Sequence, residues 1–249
     1  MEIIKIIGYY HSDVLRHWPL ANSICINRIY HIHSGKGHYF HNGKRGEFEV
    51  GKLYYIPYSS EVELYTDPDD PIVQTYIDFD FLPLAATKDI LCAEITDDPL
   101  LQSAVRSFNE GALFLKSTGQ WIEYYEKNEP FRLLCSGAIC YILSYILKVN
   151  NVPFIDDKAI ETALDIIHTR MSEPITVEML AEKCYMNKDT FIRKFTKAIG
   201  TTPYAYLKSL RLRTAKILKR NGLPLSEIAS LTGYSDSTSL LHALNTHKG

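Results

Sequence analysis

The chain of 249 residues is long enough for one large domain or two ordinary ones, and 46% of its residues are apolar, which is enough to form buried cores. Charged residues at 22% and aromatic residues at 12% exclude a largely disordered chain. Five scattered cysteines without a CxxC pair argue against a disulfide framework or a zinc ribbon and for a reducing compartment.

The N-terminus has no signal-peptide pattern. The longest uncharged run, residues 133–147, is shorter than the roughly 20 residues needed to span a bilayer. We therefore expect a cytoplasmic protein with no membrane partner.

The formal net charge of −2 hides an asymmetry along the chain. Residues 158–249 contain 14 Lys and Arg against 8 Asp and Glu, a balance of +6, whereas residues 1–157 contain 13 against 21, a balance of −8. The last third therefore favours a polyanionic partner, and the chain is expected to consist of parts with different roles.

Short apolar and aromatic runs alternate with turn signals from Cys25 to Phe81 and predict about six strands. The strongest hairpin signal is Asn42-Gly43, because both central residues of a type I′ turn need positive φ. Strands at spacings near ten residues predict a small antiparallel barrel or sandwich, and a small barrel can hold one ligand.

After Leu82 the periodicity becomes helical. One helix begins at Asp98-Pro99, and a second runs from Glu129-Pro130 to about Val149. The second helix is apolar on nearly every face and must be buried on more than one side. It packs against its own barrel or forms a homodimer seam, and both interpretations can hold together.

Two helices separated by a three-residue turn follow in the basic part of the chain. Thr176 precedes a short helix, and Asn187 is a good N-cap for a second helix, from Lys188 to about Ala198. Phe191 and Phe195 share the inner face of this second helix. The arrangement is that of a helix-turn-helix, whose second helix lies in the major groove of DNA.

The same pattern occurs again 48 residues further along, where Ile228 and Ala229 match Leu180 and Ala181. Between the two copies, Pro203–Arg220 predicts one helix with six basic residues and no acidic residue. Its length of roughly 27 Å can set two reading helices near the ~34 Å repeat of successive major grooves. We use the term reading helix for the second helix of each copy.

These residues resemble the AraC/XylS family of bacterial transcription regulators. The matching segments are residues 175–195, 200–207, 211–218, 228–229 and 233–236. The strand region is similar, more loosely, to the cupin-like effector domain of sugar-responsive members, on Gly35-Lys36-Gly37, Gly51, Ile56-Pro57 and Ile77-Asp78-Phe79. The resemblance implies a DNA-binding regulator of transcription, often dimeric, with a small-molecule sensor at the N-terminus.

The second reading helix departs from the family pattern. The family usually carries an aromatic-rich core and an arginine there, whereas this sequence has Ser239, Leu240, His242 and Leu244. The sequence ends at Gly249, where the family continues for a short closing segment. We expect the second unit to pack loosely or to contact DNA weakly, so that the first dominates.

The resulting prediction is an α+β protein in three parts. Residues 1–82 form a cupin-like antiparallel β-barrel that senses an effector, and residues 83–157 form a helical packing and dimerisation segment. Residues 158–249 form an all-α DNA-binding domain with two helix-turn-helix units joined by a linker helix. The effector would act by shifting how a homodimer presents its reading helices to double-stranded DNA.

Candidate DNA-contacting residues follow from the first reading helix. Arg193 matches the family position that faces the groove, where arginine can donate two hydrogen bonds to a guanine edge. The candidate base contacts are Lys188, Asp189, Thr190, Arg193, Thr238 and His242. The candidate phosphate contacts, which raise affinity without reading sequence, are Lys194, Lys197, Lys208 and Arg211.

Candidate effector-binding residues suit a sugar-like or aromatic ligand by stacking and hydrogen bonding. They are Arg28, Tyr30, His33, Tyr39 and Tyr76, with Trp18 as a further aromatic candidate. The same residues would also fill a barrel without any ligand, and this alternative stays open.

The histidines of the strand region suggest a second possibility. His31-Ile32-His33, with His38 and His41, resembles the His-x-His of metal-binding cupins, because alternate strand residues share a face. The next carboxylate is Glu47, farther away than the usual short spacing, so we expect no metal and no cofactor.

No nucleophile–base pair, P-loop or dinucleotide-binding glycine run is present, so we expect the protein not to be an enzyme. Two alternatives to the regulator remain open. One is a metal-dependent cupin enzyme with a helical appendage, and the other is a partner of a related regulator that no longer binds DNA itself.

Overall fold

The computed structural model describes residues 4–13, 22–24, 27–58, 60–81, 85–118, 128–220 and 223–246. The chain divides into two compact units, Met1–Phe154 and Ile155–Gly249.

The N-terminal unit contains nine strands among its described residues. They are β1 (Ile4–Asp13), β2 (Asn22–Ile24), β3 (Asn27–Ser34), β4 (Gly37–His41), β5 (Lys44–Glu47), β6 (Lys52–Ile56), β7 (Ser60–Thr66), β8 (Val73–Phe81) and β9 (Leu91–Glu94). One antiparallel sheet has the order β1-β8-β3-β6-β9, and the other has the order β2-β7-β4-β5. Because each sheet ends in edge strands, the described strands form two open sheets rather than the closed barrel that the sequence predicted.

The change of sheet between β3 and β4 has a local cause. Gly35 has a φ of +87°, and a Cβ there would lie 2.2 Å from the carbonyl oxygen of Pro71. Only glycine fits such a close approach, so the chain turns there and β4 joins the second sheet. The Asn42-Gly43 hairpin is confirmed, because both residues have positive φ and His41 pairs with Lys44.

The two faces of the five-stranded sheet bury different partners, because side chains alternate along a strand. Tyr30 and Ile32 on β3 form one cluster with Val62 and Leu64 on β7, so this face is turned toward the four-stranded sheet. Ile29 and Ile77 belong to the opposite face and lie in a second cluster.

Helices α1 (Pro99–Thr118) and α2 (Glu129–Val149) cover that opposite face. By length and composition α2 could cross a membrane, but its buried residues lie in the core of this unit: Cys135, Ala138, Ile139, Ile142, Leu143, Ile146 and Leu147. Leu133 and Leu134 remain 63% and 54% exposed. Packing of this helix against its own sheet is therefore confirmed, and its outer face keeps apolar residues at the surface.

The described part of the C-terminal unit is helical. Its helices are α3 (Lys158–Thr169), α4 (Val177–Lys183), α5 (Lys188–Ile199), α6 (Pro203–Arg220), α7 (Leu225–Thr232) and α8 (Ser237–Thr246). The first pair, α4 and α5, buries Leu180, Phe191 and Phe195. The second pair, α7 and α8, forms a cluster with α6 in which Ile228 and Leu240 are fully buried. Looser packing of the second pair, expected from its sequence, is not what the structure shows.

Candidate nucleic-acid interface and ligand site

Helix α5 is held by caps at both ends. The side-chain oxygen of Asn187 accepts a hydrogen bond from the Thr190 backbone N–H at 2.9 Å, and Gly200 ends the helix with a φ of +89°. Phe191 and Phe195 anchor the inner face and are fully buried. Helical spacing then turns Asp189, Arg193 and Lys197 outward, and all three are exposed. We call these three residues the α5 outer stripe.

The basic residues of α5 differ in whether an acidic side chain holds them. Lys188 Nζ lies 2.5 Å from Glu178 Oε1, and Lys194 Nζ lies 2.9 Å from Asp157 Oδ2. Within the described ranges, Arg193 and Lys197 make no ion pair. The positive charge of the α5 outer stripe is therefore available to an external anion, and the charges of Lys188 and Lys194 are partly neutralised within the protein.

Of the two candidate phosphate contacts on α6, Lys208 is exposed and Arg211 is not free. Arg211 donates from Nε to the Met171 carbonyl oxygen at 2.7 Å and from Nη2 to the Glu173 carbonyl oxygen at 2.6 Å. Burial lowers the pKa of Arg211, although the group stays charged. The guanidinium of Arg211, which the sequence suggested as a phosphate contact, is thus directed into the protein.

Helix α8 presents a neutral outer face. Asp236 Oδ1 accepts a hydrogen bond from the Ser239 backbone N–H at 2.7 Å, and this bond, with that of the Ser235 hydroxyl, lowers the pKa of Asp236. Thr238 and His242 are exposed four residues apart, as the base-contact hypothesis requires. Because no Lys or Arg lies on α8, this helix has less attraction for phosphate than α5.

In the N-terminal unit, four of the candidate effector residues come together on the face between the two sheets. Arg28 binds Asp78 through two hydrogen bonds, Nε to Oδ1 at 2.5 Å and Nη2 to Oδ2 at 2.8 Å, and donates from Nη1 to the Tyr30 hydroxyl at 2.9 Å. Its guanidinium also lies 4.7 Å from the centre of the Tyr76 ring. Burial raises the pKa of Tyr30 to about 12, so its hydroxyl stays protonated.

Tyr39 belongs to the same interior, since its ring packs 5.1 Å from that of Phe48 in the cluster that contains Tyr30. His33 does not. Its Nε2 lies 2.8 Å from the Thr75 hydroxyl, on the face that α1 and α2 cover, and its ring contacts His31 at 4.4 Å. Strand alternation separates His33 from Arg28 and Tyr30, and Trp18 lies outside the described residues.

Gln74 is a residue of this interior that sequence reasoning missed. It lies opposite Ile32 in the register of β3 and β8, on the same face as Tyr76 and Asp78. The side chain is 1% exposed, and neither its amide nitrogen nor its amide oxygen has a hydrogen-bond partner among the residues that the structure describes. No sequence signal distinguishes a buried glutamine from an exposed one in a strand that alternates between two faces.

The histidines do not converge in the part of the chain that is described. His38 stacks on Tyr65 at 4.9 Å, and His41 Nε2 donates to the Lys88 carbonyl oxygen at 2.7 Å. No group of three or more His, Cys, Asp or Glu side chains among the described residues is placed to hold a metal ion.

The geometry of the C-terminal unit is that of a helix-turn-helix domain of the DNA-binding type. It has a capped helix with an outward basic stripe, a linker helix and a second capped helical pair. Residues 180–249 match the family described as "Helix-turn-helix domain". The HTH-type transcriptional regulator AlkR of Acinetobacter baylyi is 39% identical over 85 residues, which are 34% of this chain and 28% of AlkR. The RCS-specific HTH-type transcriptional activator RclR of Escherichia coli is 40% identical over 65 residues, 26% of this chain and 23% of RclR.

The resemblance to AraC/XylS-type regulators is thereby confirmed, and residues 180–249 of the C-terminal unit contain a helix-turn-helix domain. The matched segments span less than a third of the length of either relative.

The fold extends the similarity to the whole chain. ToxT from Vibrio cholerae O395 has a TM-score of 0.60 and 14% sequence identity, over 99% of this chain and 94% of ToxT. A ToxT structure from strain SCE256, described as bound to an unsaturated fatty acid, has a TM-score of 0.59 and 14% identity over 98% of this chain and 90% of that chain. The protein therefore has a ToxT-like α+β fold.

Proposed function

We propose that the protein is a transcription regulator that binds specific sites in double-stranded DNA and responds to a small effector. The observation that carries the DNA-binding part is the α5 outer stripe, where Arg193 and Lys197 are exposed on a helix anchored by Phe191 and Phe195. In this proposal the protein acts in the cytoplasm of a bacterial cell, because the chromosome lies there.

In this proposal α5 lies in the major groove. Arg193 reads a guanine edge, and Asp189 at the exposed N-terminal turn accepts from a cytosine amino group. Lys197 and Lys208 neutralise phosphates. Lys188 and Thr190 contact the nucleic acid at the same end of the helix, after Lys188 exchanges Glu178 for a DNA acceptor.

The second reading helix, α8, contributes Thr238 and His242 to an adjacent groove. Its face lacks Lys and Arg, so we propose that the first helix supplies most of the affinity and the second adds selectivity.

A selection of bound genomic fragments tests this function and also supplies the recognition sequence. The purified chain and Arg193→Ala are each incubated with sheared DNA, with Arg45→Ala as the control that removes an exposed arginine of the N-terminal unit. We expect enrichment of a shared motif by the wild type and Arg45→Ala. Arg193→Ala should lose about 1–3 kcal/mol of binding free energy and relax the preference at one base. Absence of any enriched motif would reject the proposal.

The effector site that we propose lies between the two sheets, around Tyr30, Tyr39 and Tyr76, within residues 1–82. ToxT structures are described with an unsaturated fatty acid and with a naphthalenyl butenoic acid, both carboxylic acids. Here the buried Arg28 is already bound on two atoms by Asp78, so it offers no unpaired charge to a carboxylate. We therefore propose an uncharged, hydroxylated and sugar-like effector, whose hydroxyls would satisfy the amide of Gln74.

A thermal-shift screen with neutral sugars, polyols and short carboxylic acids tests the effector class. Gln74→Met keeps the approximate volume and removes the two buried polar atoms, so we expect it to stabilise the ligand-free protein by about 1 kcal/mol and to abolish the shift caused by a neutral ligand. Shifts caused by the acids alone would contradict an uncharged effector.

We also propose that the protein is a homodimer through the outer face of α2, where Leu133 and Leu134 are exposed. Light scattering on the wild type and on Leu133→Glu tests this. A dimer that the substitution converts to a monomer supports the proposal, and a wild-type monomer at micromolar concentration contradicts it.

A further inference from the structure

We infer that Arg211 is a positioning residue that couples the two helical pairs of the C-terminal unit and thereby sets the spacing of the two DNA half-sites. The inference rests on the proposed DNA-binding function and adds a determinant of its specificity.

The first connection is to the loop between α3 and α4. Arg211 projects from α6 and donates to the carbonyl oxygens of Met171 and Glu173, which end the segment before the first pair. Thr214, one turn further along α6, places its hydroxyl 3.8 Å from the Met171 sulfur. Two hydrogen bonds from a planar, charged guanidinium restrict rotation of the loop about α6 more than one contact could.

The second connection is to the turn between α7 and α8. Gly233 ends α7 with a φ of +72°, and a Cβ there would lie 2.8 Å from Arg211 Nη2 and 2.8 Å from the Met171 carbonyl oxygen. The backbone of this turn therefore packs directly on the guanidinium. Tyr234 follows, and its N–H bonds to the Ala229 carbonyl oxygen at 3.0 Å, so the turn that leads to the second reading helix is held against the end of α7.

One side chain thus joins three segments: the loop before the first pair, the linker helix and the turn of the second pair. Loss of these contacts is expected to leave α5 and α8 folded, because each helix has its own cap and buries apolar residues that do not depend on Arg211. It removes the restraint on their relative orientation. Two reading helices that are held rigidly bind DNA with only one spacing between the half-sites. When the restraint is lost, they accept several spacings, and their affinity for the optimally spaced site falls.

The test compares wild type, Arg211→Lys and Gly233→Ala on three duplexes. The first duplex has one half-site, the second has two half-sites at the selected spacing, and the third has about five base pairs added between them. The insertion rotates one half-site by about half a helical turn relative to the other. Arg211→Lys keeps the charge, but one ammonium cannot reproduce the planar fork. Gly233→Ala keeps Arg211 and forces a Cβ against it. Circular dichroism sets a temperature at which all three proteins are folded.

For both variants we expect about tenfold weaker binding to the optimally spaced duplex, little change on the single half-site, and a smaller penalty for the insertion than in the wild type. The slope of log K against log salt should stay that of the wild type, because Arg211 touches no phosphate. A further variant, Arg211→Ala, removes the charge and is measured on the same duplexes. If it lowers the salt slope by about one, Arg211 contacts a phosphate and the inference is overturned.

Equal losses on all three duplexes at unchanged slope would also overturn it, since they would show that these contacts do not act through the relative orientation of the two helical pairs. Failure of the wild type to bind any duplex would instead count against the proposed function itself.

Discussion

Lys194 and Asp157 form an ion pair at 2.9 Å, and Asp157 also caps the N-terminus of α3 through the backbone N–H groups of Ala159 and Ile160. One carboxylate therefore has two tasks, stabilising a helix and holding a basic residue of α5. The pairing places an acidic group beside a residue that the sequence suggested for phosphate binding.

Asp157→Asn is expected to tighten DNA binding. The amide keeps the cap but no longer neutralises Lys194, so we expect affinity to rise about threefold at low salt, with the gain shrinking as salt screens the charge. Titrations by fluorescence anisotropy measure it. Asp165→Asn removes an exposed carboxylate from the same helix and should have a smaller effect. Equal gains for both substitutions would mean that only net charge matters.

The same carboxylate predicts a pH dependence of stability. Partial burial alone would raise the pKa of Asp157, but hydrogen bonds from Lys194, Ile160 and Ala159 lower it below its ordinary value. The charged form is therefore favoured in the folded state. Its contribution, about 1 kcal/mol, is present above the ordinary pKa near 4 and is lost as the pH falls through the lowered folded value.

Urea unfolding of the wild type and of Asp157→Asn between pH 3 and pH 7 checks this, followed by circular dichroism at 222 nm. The difference between the two proteins should shrink as the pH falls below about 4. A difference that stays constant over the whole range would show that the carboxylate contributes no charge-dependent stability.

Lys188 and Lys197 should differ in their contribution to salt dependence. Lys197→Ala removes an exposed charge that has no acidic partner among the described residues, and it should reduce the slope of log K against log salt by about 0.9. Lys188→Ala removes a charge that Glu178 already neutralises in part, so the reduction should be less than half as large. Lys36→Ala, in the N-terminal unit, should leave the slope unchanged. Identical slopes for the Lys188 and Lys197 variants would contradict the pairing seen here.

The Arg28–Asp78 pair predicts a large and non-additive effect on stability. Asp78→Ala leaves a buried guanidinium without its counter-charge and should lower the free energy of unfolding by about 3–5 kcal/mol. Arg28→Met with Asp78→Leu removes both charges and should recover most of the loss. Tryptophan fluorescence is the suitable probe, because Trp18 and Trp121 both belong to the N-terminal unit. A single substitution that costs less than about 1 kcal/mol would show that water reaches the pair.

Much of the candidate interface could be predicted from local patterns. A helical period with Phe191 and Phe195 inward requires Arg193 to face outward, and an Asn-Gly pair between two strands specifies a hairpin. The separation of His33 from Arg28 and Tyr30 follows from alternation along β3, because odd and even residues of a strand point to opposite faces.

The sequence by itself determined where most helices and strands form and which helix faces are apolar, because these properties depend on neighbours a few residues apart. The repeated helical pair and its family resemblance indicated the DNA-binding domain. Only the tertiary structure decided that Arg211 binds backbone carbonyls 40 and 38 residues away, and that Gln74 is buried with no hydrogen-bond partner in the described part of the chain. Contacts between distant segments depend on how whole helices and strands pack. The spacing of residues along the sequence therefore does not predict which basic side chain will contact a given carboxylate or backbone carbonyl.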